Sequence, residues 1–177
     1  MPHLRIATFN ANSVRVRLGQ IVEWLALHQP DVLCLQETKV QDADFPTQAF
    51  AEAGYHLAFR GQKAHAGVAM VSRAPLDQIR FGLDDGGPAD EPRLACGVMA
   101  GVVVVNTYVP QGQEITLPAF QYKLEWLDRL GAWFSRHFSQ EQPLVWVGDL
   151  NVAPADIDVY DPKGLAEHVD LHPLPRA

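Results

Sequence analysis

Four short apolar runs in this 177-residue chain each stop in side chains able to hold a hard cation or a phosphate. Leu144 to Val147 leads through Gly148 to Asp149 and Asn151, and Asp31 to Leu35 delivers Gln36 and Glu37. Leu4 to Phe9 delivers Asn10, and Val102 to Val105 delivers Asn106, Thr107 and Tyr108. Carboxylate and amide oxygens are ligands for a cation such as Mg²⁺, while amide N–H and phenol O–H groups donate to phosphate oxygens. Each residue alone has a plainer explanation, Asn10 and Asn151 as turn residues and Glu37 as a solvated strand end. Agreement among four runs favours one shared site. Glu37 is its metal ligand, with Asn10 beside it. Asp149, held rigidly at a strand end, is placed to orient or deprotonate an attacking water.

These groups meet only if the runs are strands of a sheet whose ligands lie beyond the strand carboxyl ends. Leu144 to Val147, bounded by Pro143 and Gly148, reads as a strand buried on both faces. Leu18, Ile21, Val22, Leu25 and Leu27 recur at helical spacing before Pro30 stops the helix. Strand, helix and strand 31–35 then form a βαβ unit whose parallel strands present Asn10 and Glu37 at the same sheet edge. A short helix is expected between Asp44 and Gly54. Strands follow at 55–59 and 68–72 around a Gly-bearing loop, then near Ile79, and as a hairpin at 93–99 and 102–108. His65 in that loop reads as a surface histidine. Arg15 and Arg17 are placed to meet phosphates or solvent. Phe120, Leu124, Leu127, Leu130 and Phe134 trace the stripe of a long helix that Trp126 and Trp133 broaden. The expected fold is a two-sheet α/β sandwich with helices outside, forming a single domain over residues 1–177.

Composition sets the class. At 47% hydrophobic and 20% charged, the chain reads as a globular domain with one sizeable core. No apolar run approaches a membrane span, and Met-Pro-His-Leu-Arg lacks the apolar core of a signal peptide, so the expected location is cytoplasmic with no membrane partner. Cys34 and Cys96 fall within expected strands, as buried free thiols in a reducing compartment. A net charge of −7 argues against indiscriminate nucleic-acid binding, although an enzyme acting on DNA needs only one basic face.

Several segments together resemble the exonuclease III family of the endonuclease/exonuclease/phosphatase superfamily. They are Ile6-Ala-Thr-Phe-Asn-Ala-Asn12, Gln29-Pro-Asp-Val-Leu-Cys-Leu-Gln-Glu-Thr-Lys39, Gly61-Gln-Lys63 with Gly67-Val-Ala69, Asn106-Thr-Tyr-Val-Pro-Gln-Gly112, and Gly148-Asp-Leu-Asn-Val-Ala-Pro154. Gln-Glu and Gly-Asp-Leu-Asn indicate the superfamily; Gly-Gln-Lys and Tyr-Val-Pro-Gln-Gly narrow it to the DNA-repair branch. Ser13 stands where the family usually has glycine. The resemblance implies a metal-dependent exodeoxyribonuclease III or abasic-site endonuclease that uses Mg²⁺, or Mn²⁺ in its place, on double-stranded DNA. It further implies that Tyr108 and Asn151 serve the phosphate and that Arg93 and Gln111 face DNA.

It covers the family's N-terminal two-thirds, and the family's later Ser-Asp-His element has no counterpart among His168, Asp170 and His172, which receive no role. The expected fold is therefore C-terminally truncated, and the chain is expected to be weak or absent in cleavage and prone to self-association through the C-terminal face left uncovered where the family's final strands would pack. Two other classes suit the same residues: a nuclease-like domain that binds DNA or metal without chemistry, and a phosphomonoesterase acting on a small substrate.

Overall fold

The computed structural model describes residues 3–87, 90–165, 168–171 and 175, and the chain divides into two compact units. One comprises Met1–Tyr108 with Gln140–Asp149; the other comprises Val109–Ser139 with Leu150–Ala177. His172 lies outside the described residues.

The first unit holds two four-stranded mixed sheets. One runs in the order β1 (Ile6–Asn10), β2 (Val32–Gln36), β4 (Val68–Ser72), β3 (His56–Arg60). The other runs β5 (Asp77–Phe81), β6 (Leu94–Met99), β7 (Val102–Tyr108), β8 (Leu144–Asp149). This is the expected two-sheet α/β sandwich. Strands β2 and β4 are buried throughout and read as continuous apolar runs because both faces are covered. One face packs on helices α1 (Val14–His28) and α2 (Thr47–Glu52) through Ile21, Leu25, Phe50, Leu33 and Val71. The other face meets the second sheet through Cys34, Met70, Ala95, Met99 and Val104.

Each sheet contains one parallel pair that matters for the site. In β1 and β2, Asn10 is the register partner of Gln36, so Glu37 follows directly at the same edge. In β7 and β8, Tyr108 is the partner of Asp149. Close approach of β8 to β7 requires Gly148, at φ +141°, where a Cβ would stand 2.0 Å from the Thr107 carbonyl oxygen.

A buried amide clamp joins the sheets. The Gln36 side chain donates to Asn106 Oδ1 at 2.6 Å and to Thr8 Oγ1 at 3.0 Å, and Asn106 donates in turn to the carbonyls of Leu35 and Ala69, both at 3.0 Å. Buried amides are tolerable only when paired in this way. The clamp ties the strand that leads into Glu37 to the strand ending at Tyr108.

Three expectations need correction. Strand β8 is only half-buried along its length, with Trp146 41% exposed, because among the described residues it pairs with β7 alone and forms a sheet edge. Leu27 is 75% exposed: two residues past Leu25 places it on the opposite side of the helix from the buried Ile21 and Leu25. In the second unit, helix α3 (Pro118–His137) buries Phe120, Lys123, Trp126, Leu130 and Trp133, while Leu124, Leu127 and Phe134 flank that line half-buried. The tryptophans carry the stripe and a lysine lies inside it.

Lys123 is fully buried, and its ammonium donates to the carbonyls of Gln111, Asn151 and Val169 and to the Asp170 carboxylate. Four acceptors offset the cost of burying that charge. Among the described residues no helix is long and apolar enough to cross a membrane.

Candidate metal and phosphate site

At the carboxyl ends of β1, β2, β7 and β8, one amide joins two carboxylates. Asn10 Nδ2 donates to Glu37 Oε1 at 2.7 Å and to Asp149 Oδ2 at 2.7 Å. The amide is fixed in that orientation because its oxygen accepts the Asn12 backbone N–H at 3.0 Å. The four apolar runs therefore do deliver Asn10, Glu37, Tyr108 and Asp149 to one place. Asn151 and Gln111 fall in the second unit. There Asn151, at φ +46°, donates its amide to the Val109 carbonyl at 2.8 Å, and Gln111 is exposed with its side-chain oxygen accepting the Gln113 N–H at 2.7 Å.

Glu37 is the most heavily constrained member. Burial pushes its carboxyl up, but hydrogen bonds from Asn10, Lys39 and Tyr108 and the Lys39 charge outweigh burial and hold it below the usual glutamate range. Tyr108 moves the other way, raised by burial first and by the Glu37 charge second, with Arg93 opposing. At neutral pH the pair is a carboxylate and a protonated phenol, so Tyr108 acts as a donor.

The backbone at these strand ends is irregular and laced. Asn12, Ser13, Glu37 and Lys39 all have positive φ. Such conformations are costly for non-glycine residues and persist where neighbours hold them. Here the Ser13 N–H reaches the Glu37 carbonyl at 2.8 Å, the Thr38 N–H reaches Gly67 at 3.2 Å and the Lys39 N–H reaches Ala66 at 3.0 Å. Thr38 is buried against Gly67, where a Cβ would stand 2.1 Å from Thr38 Oγ1. The Gly-bearing loop is thus the mould for the Glu37 turn.

Arg93 is positioned differently from the expectation of a residue open to DNA. Its side chain is 12% exposed, ion-paired with Glu91, lying over the Tyr108 ring at 4.6 Å and donating to the Tyr108 carbonyl at 3.2 Å. It orients Tyr108. Sequence reasoning also missed Lys39, whose ammonium sits 2.7 Å from Glu37 Oε2, although the i, i+2 spacing Glu-Thr-Lys was open to view. Lys123 was missed too, for a physical reason: nothing in a helical pattern distinguishes a buried lysine from a solvated one.

The donor set fits a hard cation that keeps most of its water. Two carboxylates bridged by an amide offer anionic oxygens, and among the described residues no group of three or more His, Cys, Asp and Glu side chains stands together as a fuller cage would need. As oriented, Asn10 presents its nitrogen to both carboxylates. Ligation through Asn10 would require the amide to turn over.

Comparison with known proteins agrees with this fold. The Endonuclease/Exonuclease/phosphatase family matches residues 7–174. Exodeoxyribonuclease III of Haemophilus influenzae is 31% identical over 167 residues, covering 88% of this chain and 60% of that protein. An AP endonuclease from Archaeoglobus fulgidus superposes with a TM-score of 0.95 at 46% identity, over 98% of this chain and 67% of that one. The 3′ phosphatase NExo from Neisseria, solved bound to a product DNA hairpin, gives a TM-score of 0.95 at 36% identity, over 98% of this chain and 68% of that one. This chain therefore spans about 60% of the length of the Haemophilus relative.

Proposed function

Because this chain belongs to the Endonuclease/Exonuclease/phosphatase family, we propose that it carries the site of a metal-dependent DNA-repair phosphodiesterase of the exodeoxyribonuclease III or abasic-site endonuclease kind, acting on double-stranded DNA in the cytoplasm. The observation that carries the reading is the bridge of Asn10 between Glu37 and Asp149 beside a protonated Tyr108. Glu37 is the metal ligand, with Asn10 beside it. Mg²⁺, or Mn²⁺ in its place, would polarise the phosphate oxygens when bound.

Asp149 orients the attacking water and accepts its proton. Its carboxylate is held by Asn10 Nδ2 at 2.7 Å, which fixes the direction in which it accepts. Tyr108 donates its phenol O–H to a phosphate oxygen, steadied by Arg93 over its ring. By the family resemblance Asn151 serves the phosphate and Gln111 faces DNA, while Arg93 acts through Tyr108. Half-exposed Phe9, Trp24 and Trp146 support weak self-association of the chain. Buried Cys34 and Cys96, whose thiols are pushed up to about 12 and about 11 by burial, are inert in the reduced state.

The test is incubation of the purified chain with an end-labelled abasic-site duplex, with Mg²⁺ and with a chelator. Metal-dependent nicking supports the enzyme. Salt-dependent DNA binding without nicking would favour a nuclease-like binder. Phosphate release from small monoesters without DNA binding would favour a phosphomonoesterase.

A further inference from the structure

Both carboxylate oxygens of Glu37 are already engaged. Oε1 accepts from Asn10 at 2.7 Å, and Oε2 faces the Lys39 ammonium at 2.7 Å. That ammonium is also held by Asn12 Oδ1, so it is tethered on two sides. The Glu37 and Lys39 side chains are 18% and 30% exposed, dry enough for the pair to matter and open enough for the ammonium to leave. Around the buried Thr38, Glu37 and Lys39 take left-handed backbone at φ +49° and +52°, which turns both side chains to the same place. A strained backbone that folds a lysine onto the carboxylate read as the metal ligand calls for a reason.

We propose that Lys39 is the resident cation of this site, neutralising Glu37 until a divalent metal displaces its ammonium and so setting how weakly that metal is held. The inference rests on the reading of Glu37 as a metal ligand. A divalent ion must reach a Glu37 oxygen directly, whereas lysine is a compact point charge on a flexible stem that can withdraw. Without Lys39, Glu37 and Asp149 would be two anionic groups sharing one amide, with no positive charge yet beside Glu37. With it, the pair stays ordered before metal arrives. Metal binding then frees the ammonium next to the cation, where both favour an incoming anion.

Calorimetric titration with Mn²⁺ tests this on the wild type and on Lys39→Met, Lys39→Arg and Glu37→Gln, each checked by thermal melting. Lys39→Met is expected to bind Mn²⁺ about fivefold more tightly than the wild type, the size that a part-exposed ion pair allows. Lys39→Arg, which keeps the charge, should stay near the wild type, and Glu37→Gln should lose binding. The Mn²⁺-induced rise in melting temperature should be larger for Lys39→Met. Should Lys39→Met fail to fold, Lys39→Gln is read the same way. Equal or weaker binding by the lysine variant, with Glu37→Gln still impaired, overturns the role of Lys39 and leaves the metal reading standing. Glu37→Gln binding like the wild type overturns both.

Discussion

At the scale of single residues, Glu37 gathers most of the chemistry, because burial, two hydrogen-bond donors and an ammonium all act on one carboxyl. Glu37→Gln is expected to weaken Mg²⁺ or Mn²⁺ binding more than Asn151→Ala does, since removing charge from a hard-cation site costs more than removing a neutral donor. Calorimetric titration of the two variants side by side checks that order, and equal affinities would contradict it. The same carboxyl makes a pH prediction. Its pKa is lower in the folded chain than in the unfolded one, so it contributes stability that is present above the ordinary glutamate value and is lost as pH falls through the lowered one. Urea denaturation at a series of acidic pH values should show a shallower loss of stability for Glu37→Gln than for the wild type. Tyr108, raised rather than lowered, stays protonated through that whole range.

Among the elements, what positions the site is the pairing of strand ends, and two backbone positions report on it. Ser13 takes φ +95° where glycine would be unstrained. Ser13→Gly is therefore expected to raise stability by roughly 0.5 to 1 kcal/mol in equilibrium denaturation. The Gln36–Asn106 clamp offers a second test. Either Gln36→Leu or Asn106→Leu strands a buried amide and should cost about 1 to 3 kcal/mol, while the double variant should cost clearly less than the sum. Strict additivity would mean that the two side chains do not act as a unit. The strands of this frame were legible because an apolar run that ends abruptly in polar groups is a local signal: Val68–Ser72 and Val102–Tyr108 are read to the residue, and the others within two or three. Convergence of Asn10, Glu37, Tyr108 and Asp149 was legible for the same reason. The clamp was not, because Gln36 and Asn106 meet only across two sheets, and neither was the orientation of Arg93 over Tyr108. Periodicity identifies the covered side of a helix without saying which member of the stripe is deepest, which is how Lys123 escaped notice.

For the whole molecule, the half-exposed edge strand β8 and the exposed aromatic rings of Phe9 and Trp24 bear on behaviour in solution. An apolar recess of about 310 Å³, lined by Ala7, Phe9, Ile21, Trp24 and Leu33, lies beside β1. Sedimentation velocity over a concentration series should show weak, reversible association, reduced when Trp24 is replaced by a polar residue. The central claim is that Asp149, Asn10 and Glu37 form a metal-dependent site for phosphodiester hydrolysis. The most direct measurement is single-turnover incision of an abasic-site duplex by the wild type and by Asp149→Asn at matched enzyme concentration, in Mg²⁺ and in chelator. Slow product from the wild type in Mg²⁺ alone, slowed further by on the order of 10² to 10⁴ by the substitution, is the expected result. Equal rates for the two proteins, or equal product in chelator, would contradict it.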